Sequence, residues 1–150
     1  MDEFVILADR SPDLVADIGF EPAFELTLHY GRTQTEQTPR GKRIFRPITG
    51  GTISGKIEGT VYPRGAGEYS IGRDDGVTDI SEHVLVRDTR GEWLYIRNMG
   101  YERADGYYRV TSWVDADVRS QHNWVLGLFF LGVAIEHDDG KVTLRYYEVL

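Results

Sequence analysis

The chain has 150 residues, no cysteine, and 17 basic against 24 acidic residues, which gives a formal charge of -7. A chain of this length can bury a sufficient core as one domain without disulfides or a structural metal. The absence of cysteine excludes disulfide frameworks, cysteine–zinc sites and thiol catalysis.

The longest uncharged apolar run, Trp124 to Ile135, is much shorter than the ~20 residues of a membrane-spanning helix. The chain begins Met1-Asp2-Glu3, without the basic segment that opens a secretory signal. We therefore expect a cytoplasmic protein that does not associate with membranes.

Basic residues concentrate in the middle of the chain. Residues 31–73 contain eight bases and three acids, and both flanking segments are acidic. Such a cluster can attract a phosphate, a carboxylate or nucleic acid, but the overall charge is unfavourable for a polyanion and no nucleic-acid motif accompanies it. We expect solvated strand edges paired with the acidic segments and no nucleic-acid partner, and a single anionic group on a small ligand stays open.

Two short elements are predicted near the N-terminus. Ser11 to Ile18 favours a short helix, because Ser11 suits the cap, Pro12 the first helical position and Asp13 the positive helix end. Phe4 to Leu7 reads as a strand that lies against the barrel or against a partner subunit. We divide the chain into an N-terminal extension, residues 1–20, and a domain, residues 21–150.

Short alternating runs separated by glycine turns follow the N-terminal extension. We predict strands near Phe24–Tyr30, Arg43–Pro47, Ser54–Tyr62, Glu68–Ile71, Thr78–Arg87, Glu92–Asn98, Tyr107–Val114, Trp124–Glu136 and Lys141–Val149. Nine strands without a long helix favour an all-β barrel or sandwich.

The loop between Asp88 and Glu92 fixes the faces of two of these strands. A type I turn followed by Gly91 in the left-handed region gives a three-residue hairpin loop. Counting back from it places Glu82 opposite Asn98, on the same face as aliphatic residues. Burial there would raise the pKa of Glu82 and suit it to general acid–base catalysis. The alternatives are that Glu82 lies near a barrel mouth, solvated or paired with an arginine, or that a one-residue register change exchanges the faces.

A second hairpin, at His137–Lys141, predicts where a cavity can form. Its register places Ala134 opposite Leu144 and Gly132 opposite Tyr146, so small residues face large ones. The space left beside Tyr146 and Trp124 can hold a ligand, or neighbouring side chains fill it.

The other face of the same strand is also apolar. It carries Phe129, Leu131, Val133 and Ile135. A strand that is apolar on both faces needs cover outside the barrel, from the N-terminal segment or from a second subunit. We expect a homodimer.

Other chemistries have little support in the sequence. The four histidines lack metal-ligand spacing, so we expect no metal and no cofactor. Gly50-Gly51-Thr52 and Gly65-Ala66-Gly67 precede no helix that could hold a phosphate, and we interpret them as a bulge and a turn. No Gly-x-Ser-x-Gly elbow supports acyl transfer by a serine.

A set of motifs is distributed along the chain: Thr38-Pro39-Arg40-Gly41-Lys42-Arg43, Pro47-Ile48-Thr49-Gly50-Gly51-Thr52, Gly55, Gly59, Pro63, Asp75-Gly76, Arg90-Gly91, Leu94-Tyr95-Ile96, Asn98, Tyr107-Tyr108-Arg109, Trp124, Gly132 and Tyr146-Tyr147-Glu148-Val149. Together these motifs resemble those of domain-of-unknown-function family 3237, also called UPF0311. The resemblance covers roughly residues 24–149, and the Pro-Ile-Thr-Gly-Gly block is its most specific element. It implies a closed antiparallel barrel similar to those of allene oxide cyclase and dirigent proteins, commonly dimeric. We therefore predict a single closed antiparallel β-barrel of about eight to nine strands with at most one short N-terminal helix.

The chain departs from the family pattern at two places. Trp124-Val125-Leu126 stands where members often have Trp-Leu-Asn, so a polar group of that strand is missing. Thr89-Arg90-Gly91 stands where members often have Asp-Asp-Gly, which we interpret as a surface change.

The resemblance settles no activity, but related barrels guide cyclisation or coupling of small hydrophobic molecules. By analogy we predict a cofactor-independent isomerase, cyclase or lyase. Its substrate is small and partly hydrophobic, with or without an anionic group. The alternative is a barrel that binds a small molecule without converting it.

Such chemistry needs a proton carrier and donors for a developing negative charge. We assign Glu82 as the proton carrier, with Asp75 as a further candidate acid. Asn98 and Tyr108 are the candidate donors, and Tyr108 is placed inward because its alternate neighbours are the more apolar set.

Three residues are candidates for substrate binding. Arg43, from the family block, is assigned to an anionic substrate group. Trp124 and Tyr146 are assigned to the cavity wall.

Overall fold

A computed structural model of the protein describes residues 18–150. Its strands are β1 (Phe20–Tyr30), β2 (Gln34–Thr38), β3 (Gly41–Gly55), β4 (Gly59–Val61), β5 (Gly67–Gly72), β6 (Thr78–Asp88), β7 (Trp93–Glu102), β8 (Tyr108–Ala116), β9 (Phe130–Glu136) and β10 (Val142–Val149). The predicted Phe4–Leu7 strand and all of the predicted Ser11–Ile18 helix except Ile18 lie outside the described residues.

Eight antiparallel strands close the barrel. They follow one another in the order β1, β10, β9, β8, β7, β6, β5 and β3, and β3 pairs again with β1. Two further strands are additions to this ring, since β2 pairs with β3 and the short β4 lies between β3 and β6. The predicted closed antiparallel barrel is confirmed. No helix among residues 18–150 is long and apolar enough to cross a membrane.

Alternation along the strands builds the interior. In β6 the residues Ile80, Glu82, Val84 and Val86 are buried, whereas those between them are only partly buried or exposed. The predicted registers are confirmed, with Glu82 opposite Asn98 and Gly132 opposite Tyr146. Both hairpin turns carry the expected glycine at positive φ, Gly91 at 86° and Gly140 at 85°.

The strand predicted over Trp124–Glu136 is wrong in its first half. A 3-10 turn occupies Asn123–Val125, and Gly127 has a φ of 80°, a left-handed conformation that interrupts an extended chain. The strand begins only at Phe130.

We call the end of the barrel that this turn covers the lower end, and the opposite end the upper end. A buried pair holds the lower end together. His122 Nε2 and Asp88 Oδ2 are 2.7 Å apart, and both side chains are almost fully buried. The pair ties the segment before the 3-10 turn to the β6–β7 hairpin. Next to it, Val125 is buried and Trp124 packs against Phe130.

Candidate functional site

The interior of the barrel contains a fully buried carboxyl group, that of Glu82. Its residue exposure is 0%, and that of Asn98 opposite it is also 0%. The position follows from the pattern predicted for β6, because Glu82 occupies an inward step of an otherwise aliphatic face. A buried carboxyl needs hydrogen-bond partners for both oxygens.

Both oxygens of Glu82 have such partners. Asn98 Nδ2 donates to Oε1 at 2.9 Å, and the hydroxyl of Tyr30 donates to Oε2 at 2.5 Å. Asn98 Oδ1 in turn accepts hydrogen bonds from Ser112 at 2.6 Å and from Tyr146 at 2.7 Å. These five residues form one connected chain of hydrogen bonds, which we call the interior network.

A second buried carboxylate lies beside the network. Glu68, on β5, faces Glu82 across the strand pair and is 2% exposed. Arg46 Nε lies 2.6 Å from its Oε1, and Ser70 donates to its Oε2 at 2.7 Å. Arg46 also reaches Glu136, with 3.1 Å between Nη1 and Oε1. The same guanidinium stacks on the Tyr30 ring at 4.1 Å.

Burial and charge together set the protonation of Glu82. Removal from water, and after it the neighbouring Glu68 carboxylate, raise the pKa of Glu82 from 4.5 to about 7, against the hydrogen bonds from Tyr30 and Asn98 and the charge of Arg46. A carboxyl in this range exchanges its proton near neutral pH. That property is the one a general acid or base requires.

Tyr108 contributes an unused donor. Its side chain is buried at 3% exposure, and its hydroxyl has no hydrogen-bond partner among residues 18–150. Burial, followed by the charges of Glu82 and other glutamates, raises the pKa of Tyr108 well above its ordinary range, so the hydroxyl keeps its proton. An unpartnered buried hydroxyl is uncommon and fits a bond to a ligand oxygen.

A cleft adjoins the network at the upper end of the barrel. It has a volume of about 280 Å³, and Tyr30 and Arg46 form part of its wall. The rest of the wall comes from His29, Gly31, Thr33, Asp139, Gly140 and Lys141. Deeper in the barrel, Phe130 and Tyr146 are fully buried and pack with Phe24. Tyr30 therefore stands between the cleft and Glu82.

The predicted site residues divide into two groups by position. Glu82, Asn98 and Tyr146 are joined directly, and Tyr108 lies near enough for the charge of Glu82 to act on it. The structure brings these four together at the upper half of the interior.

The other three predicted residues lie elsewhere. Arg43 is exposed and lies opposite Glu36 in the register of the added strand β2 with β3. Asp75 is exposed in a turn, 3.1 Å from Arg73 Nε. Trp124 is half-buried at the lower end, where Lys56 lies 5.4 Å from its ring. None of these three is hydrogen-bonded to the interior network.

Sequence reasoning missed Tyr30, Arg46 and Glu68. Glu68 and Ser70 alternate on β5, which is a signal that both face one side, and their pairing opposite Glu82 was not predicted. Arg46 and Tyr30 meet only because β1 and β3 pair to close the barrel. Local patterning carries no signal for that contact.

One cluster has side chains of the types that bind metals. Ligand atoms of Asp88, Glu92 and His122 lie within 4.8 Å of one another. Asp88 already accepts hydrogen bonds from two backbone amides as well as from Gln121 and His122. The Asp88 carboxylate therefore has hydrogen-bond partners without a metal, and the cluster holds the lower end of the barrel together. The expectation of a metal-free protein stays a prediction.

Comparison with solved structures finds the same barrel in other organisms. A β-barrel-like protein of Acinetobacter baumannii is 20% identical, with 91% of this chain and 98% of that chain covered and a TM-score of 0.82. A protein of unknown function from Clostridium acetobutylicum is 23% identical, covering 88% and 99%, with a TM-score of 0.80. An enzyme from Penicillium herquei is 19% identical, covering 91% and 97%, with a TM-score of 0.75. At these identities the likeness shows the fold alone.

No curated protein matches the sequence of this chain, but a protein-family model does. The family model described as protein of unknown function (DUF3237) matches residues 18–149, almost the whole length. The resemblance seen in the sequence motifs is thereby confirmed, and the chain belongs to the DUF3237 family.

Proposed function

We propose that the protein is a cofactor-independent enzyme of the isomerase, cyclase or lyase type. Its substrate is a small, partly hydrophobic carbonyl compound that binds in the upper cleft. The observation that carries the proposal is the buried Glu82, whose pKa of about 7 places its proton exchange near neutral pH. One protein with the same fold, from Penicillium herquei, is an enzyme, which supports a catalytic role for this chain.

Tyr30 connects Glu82 to the cleft. Its hydroxyl donates to Glu82, and the same residue forms part of the cleft wall. Burial, followed by the charge of Glu82, raises the pKa of Tyr30 far above its ordinary value, so a free phenolate does not form. As the Tyr30 oxygen takes a proton from a substrate carbon, its own proton passes to Glu82. The reverse transfer returns a proton to a different substrate atom, which completes an isomerisation or elimination.

Tyr108 stabilises the negative charge that develops on the substrate. Loss of a proton next to a carbonyl moves negative charge to the carbonyl oxygen, and a preorganised donor stabilises that charge in a dry site. The unpartnered Tyr108 hydroxyl is buried in the interior and does not line the cleft, so it supplies this donor to a substrate oxygen that enters past Tyr30. The amide nitrogen and the amide oxygen of Asn98 are both hydrogen-bonded within the protein, so the role of Asn98 is to hold Glu82 in place.

The two cations of the cleft wall, Arg46 and Lys141, are already paired with carboxylates, which favours a neutral substrate over the anionic group allowed by the sequence. Arg46 is engaged by Glu68 and Glu136, and Glu102 adds a further carboxyl whose pKa is raised, first by burial and then by Glu136. The cation is therefore already neutralised. An additional carboxylate would be repelled by these glutamates.

Deuterium exchange tests the proposal before the substrate is known. The protein is incubated in D₂O with neutral enolisable ketones, cyclohexanone and 2-cyclohexenone, and incorporation at carbon above the uncatalysed rate is followed by NMR. Glu82→Gln is expected to slow the exchange by about 100-fold or more, the usual contribution of a general base. Tyr108→Phe is expected to slow it while leaving the fold unchanged.

Glu36→Gln is the matched control, because Glu36 is exposed on β2. Equal exchange rates for Glu82→Gln and the control would refute the role of Glu82. Saturable binding of a probe without any exchange would favour the alternative, a barrel that binds a small molecule without converting it. Mass spectrometry of small molecules extracted from purified protein then identifies the natural ligand.

A further inference from the structure

A wide cleft lies outside the barrel. It has a volume of about 960 Å³ and crosses the outer surface from Phe20 of β1 to Asp79 of β6. We call it the outer groove. Its wall also includes Met99, Tyr101, Arg109, Thr111 and Leu131.

The outer groove exposes large apolar side chains. Phe20 is 54% exposed, Tyr101 53%, Met99 44% and Leu131 37%. A contiguous apolar surface of this kind is normally covered by another part of the protein or by a partner. We therefore expect another segment or molecule to cover the outer groove.

The start of β1 shows where one occupant is attached. Phe20 is both the first residue of β1 and part of the groove wall, so the chain that precedes it leaves the barrel at the groove. The groove crosses six neighbouring strands, roughly 24 Å at the usual spacing. The chain from Leu7 to Phe20 spans up to roughly 40 Å when extended, which is enough to cross it.

The composition of residues 1–17 is suited to binding in the outer groove. Phe4 to Leu7 is an uninterrupted apolar run, and residues 1–17 contain five acids and one base. Arg109 lies in the groove wall, and its guanidinium pairs with no carboxylate in the described part of the chain, donating only to the carbonyl of Tyr108. The segment thus offers both an apolar run and carboxylates to match the groove.

We propose that residues 1–17 fold back over the outer groove of their own barrel, with Phe4 to Leu7 against its apolar side chains. A tethered segment has an effective concentration in the millimolar range, so it competes well against a second copy of the chain. The inference concerns the outside of the barrel and is independent of the activity proposed for Glu82.

Disulfide trapping in the full chain tests this, because the protein has no cysteine of its own. The groove pair Ile6→Cys with Leu131→Cys is compared with the control pair Ile6→Cys with Tyr69→Cys. Tyr69 is exposed on β5, across the barrel from β9. Oxidation is followed by non-reducing gel electrophoresis and peptide mass mapping. The groove pair is expected to form the intramolecular disulfide at least about tenfold faster than the control pair.

Two results would overturn the proposal. Equal rates for the two pairs would show that the segment does not prefer the groove. Disulfide-linked dimers from the groove pair, and from Leu131→Cys alone, would assign the groove to a second copy. Thr111→Cys replaces Leu131→Cys if the latter disturbs folding, since Thr111 also lines the groove and is exposed.

Discussion

Replacing Glu82 by Gln should change how the stability of the protein depends on pH. Gln has nearly the same shape and keeps both contacts of the carboxyl. Its carbonyl oxygen accepts from Asn98, and its NH₂ group donates to Tyr30, whose hydroxyl can rotate to accept. The variant differs from the wild type mainly in having no proton to release.

The magnitude follows from the pKa of Glu82. In the unfolded chain the carboxyl loses its proton near pH 4.5, and in the folded protein near pH 7. Between these values the folded state holds a proton that the unfolded state has released, so raising the pH destabilises the fold. The contribution is fully present below pH 4.5 and is lost as the pH rises through about 7. At about 1.4 kcal/mol per pKa unit, the loss amounts to about 3 kcal/mol.

The assay is urea unfolding of wild type, Glu82→Gln and Glu36→Gln from pH 5 to pH 8.5. Other groups with altered pKa values, such as Glu102, titrate in all three proteins and cancel in the differences. Relative to Glu82→Gln, the wild type is expected to lose most of the ~3 kcal/mol between pH 5 and 7. Glu36→Gln is expected to follow the wild type, because Glu36 is exposed.

Parallel stability profiles for wild type and Glu82→Gln over this range would refute the reasoning. Such a result would mean that Glu82 has an ordinary pKa in the fold, and the proposed proton carrier would lose its physical basis. A gap that opens in the opposite direction would show that the hydrogen bonds and Arg46 outweigh burial.

Three further substitutions test the packing around the site by thermal or urea unfolding. His122→Ala leaves its buried carboxylate partner short of a donor and should cost about 2 kcal/mol, whereas the exposed His137→Ala should cost little. Arg46→Met removes the cation between two glutamates and should cost about 3 kcal/mol, with Arg46→Lys recovering part of it. Gly132→Ala would place a Cβ 2.7 Å from a valine methyl in the barrel wall and should cost about 1–3 kcal/mol, whereas Gly50→Ala meets open space. Similar costs within either matched pair, or no cost for Arg46→Met, would contradict these contacts.

Local sequence signals predicted the part of the site that lies on one hairpin. The turn containing Gly91 fixes the register of β6 and β7, and alternation then places Glu82 and Asn98 inside. The same reasoning placed Tyr146 opposite Gly132 on the second hairpin. Period and turn type are local properties, so one sequence is enough to obtain them.

Contacts made by closing the barrel were not predictable in this way. Arg43 and Arg46 are both cations of one strand, but three steps along a strand reverse the face, so only one of them can point inward. Which of the two does so depends on the pairing of β3 with β1 and β5, which are distant in sequence. Trp124 was misplaced for another reason, since Gly127 turns the chain where apolar composition alone suggested a continuous strand.

The hydrogen-bond chain around Glu82 has a fixed direction on one side only. Asn98 accepts from two hydroxyls and must donate to Glu82, so it cannot turn round. When Glu82 takes up a proton, that hydrogen can point only toward Tyr30, whose own hydroxyl hydrogen must then turn away from Glu82. A ligand that reaches the Tyr30 hydroxyl therefore meets a hydrogen-bond donor when Glu82 is protonated and an acceptor when it is ionised. The protonation state of a fully buried carboxyl thus sets the hydrogen-bonding character of a residue that lines the cleft.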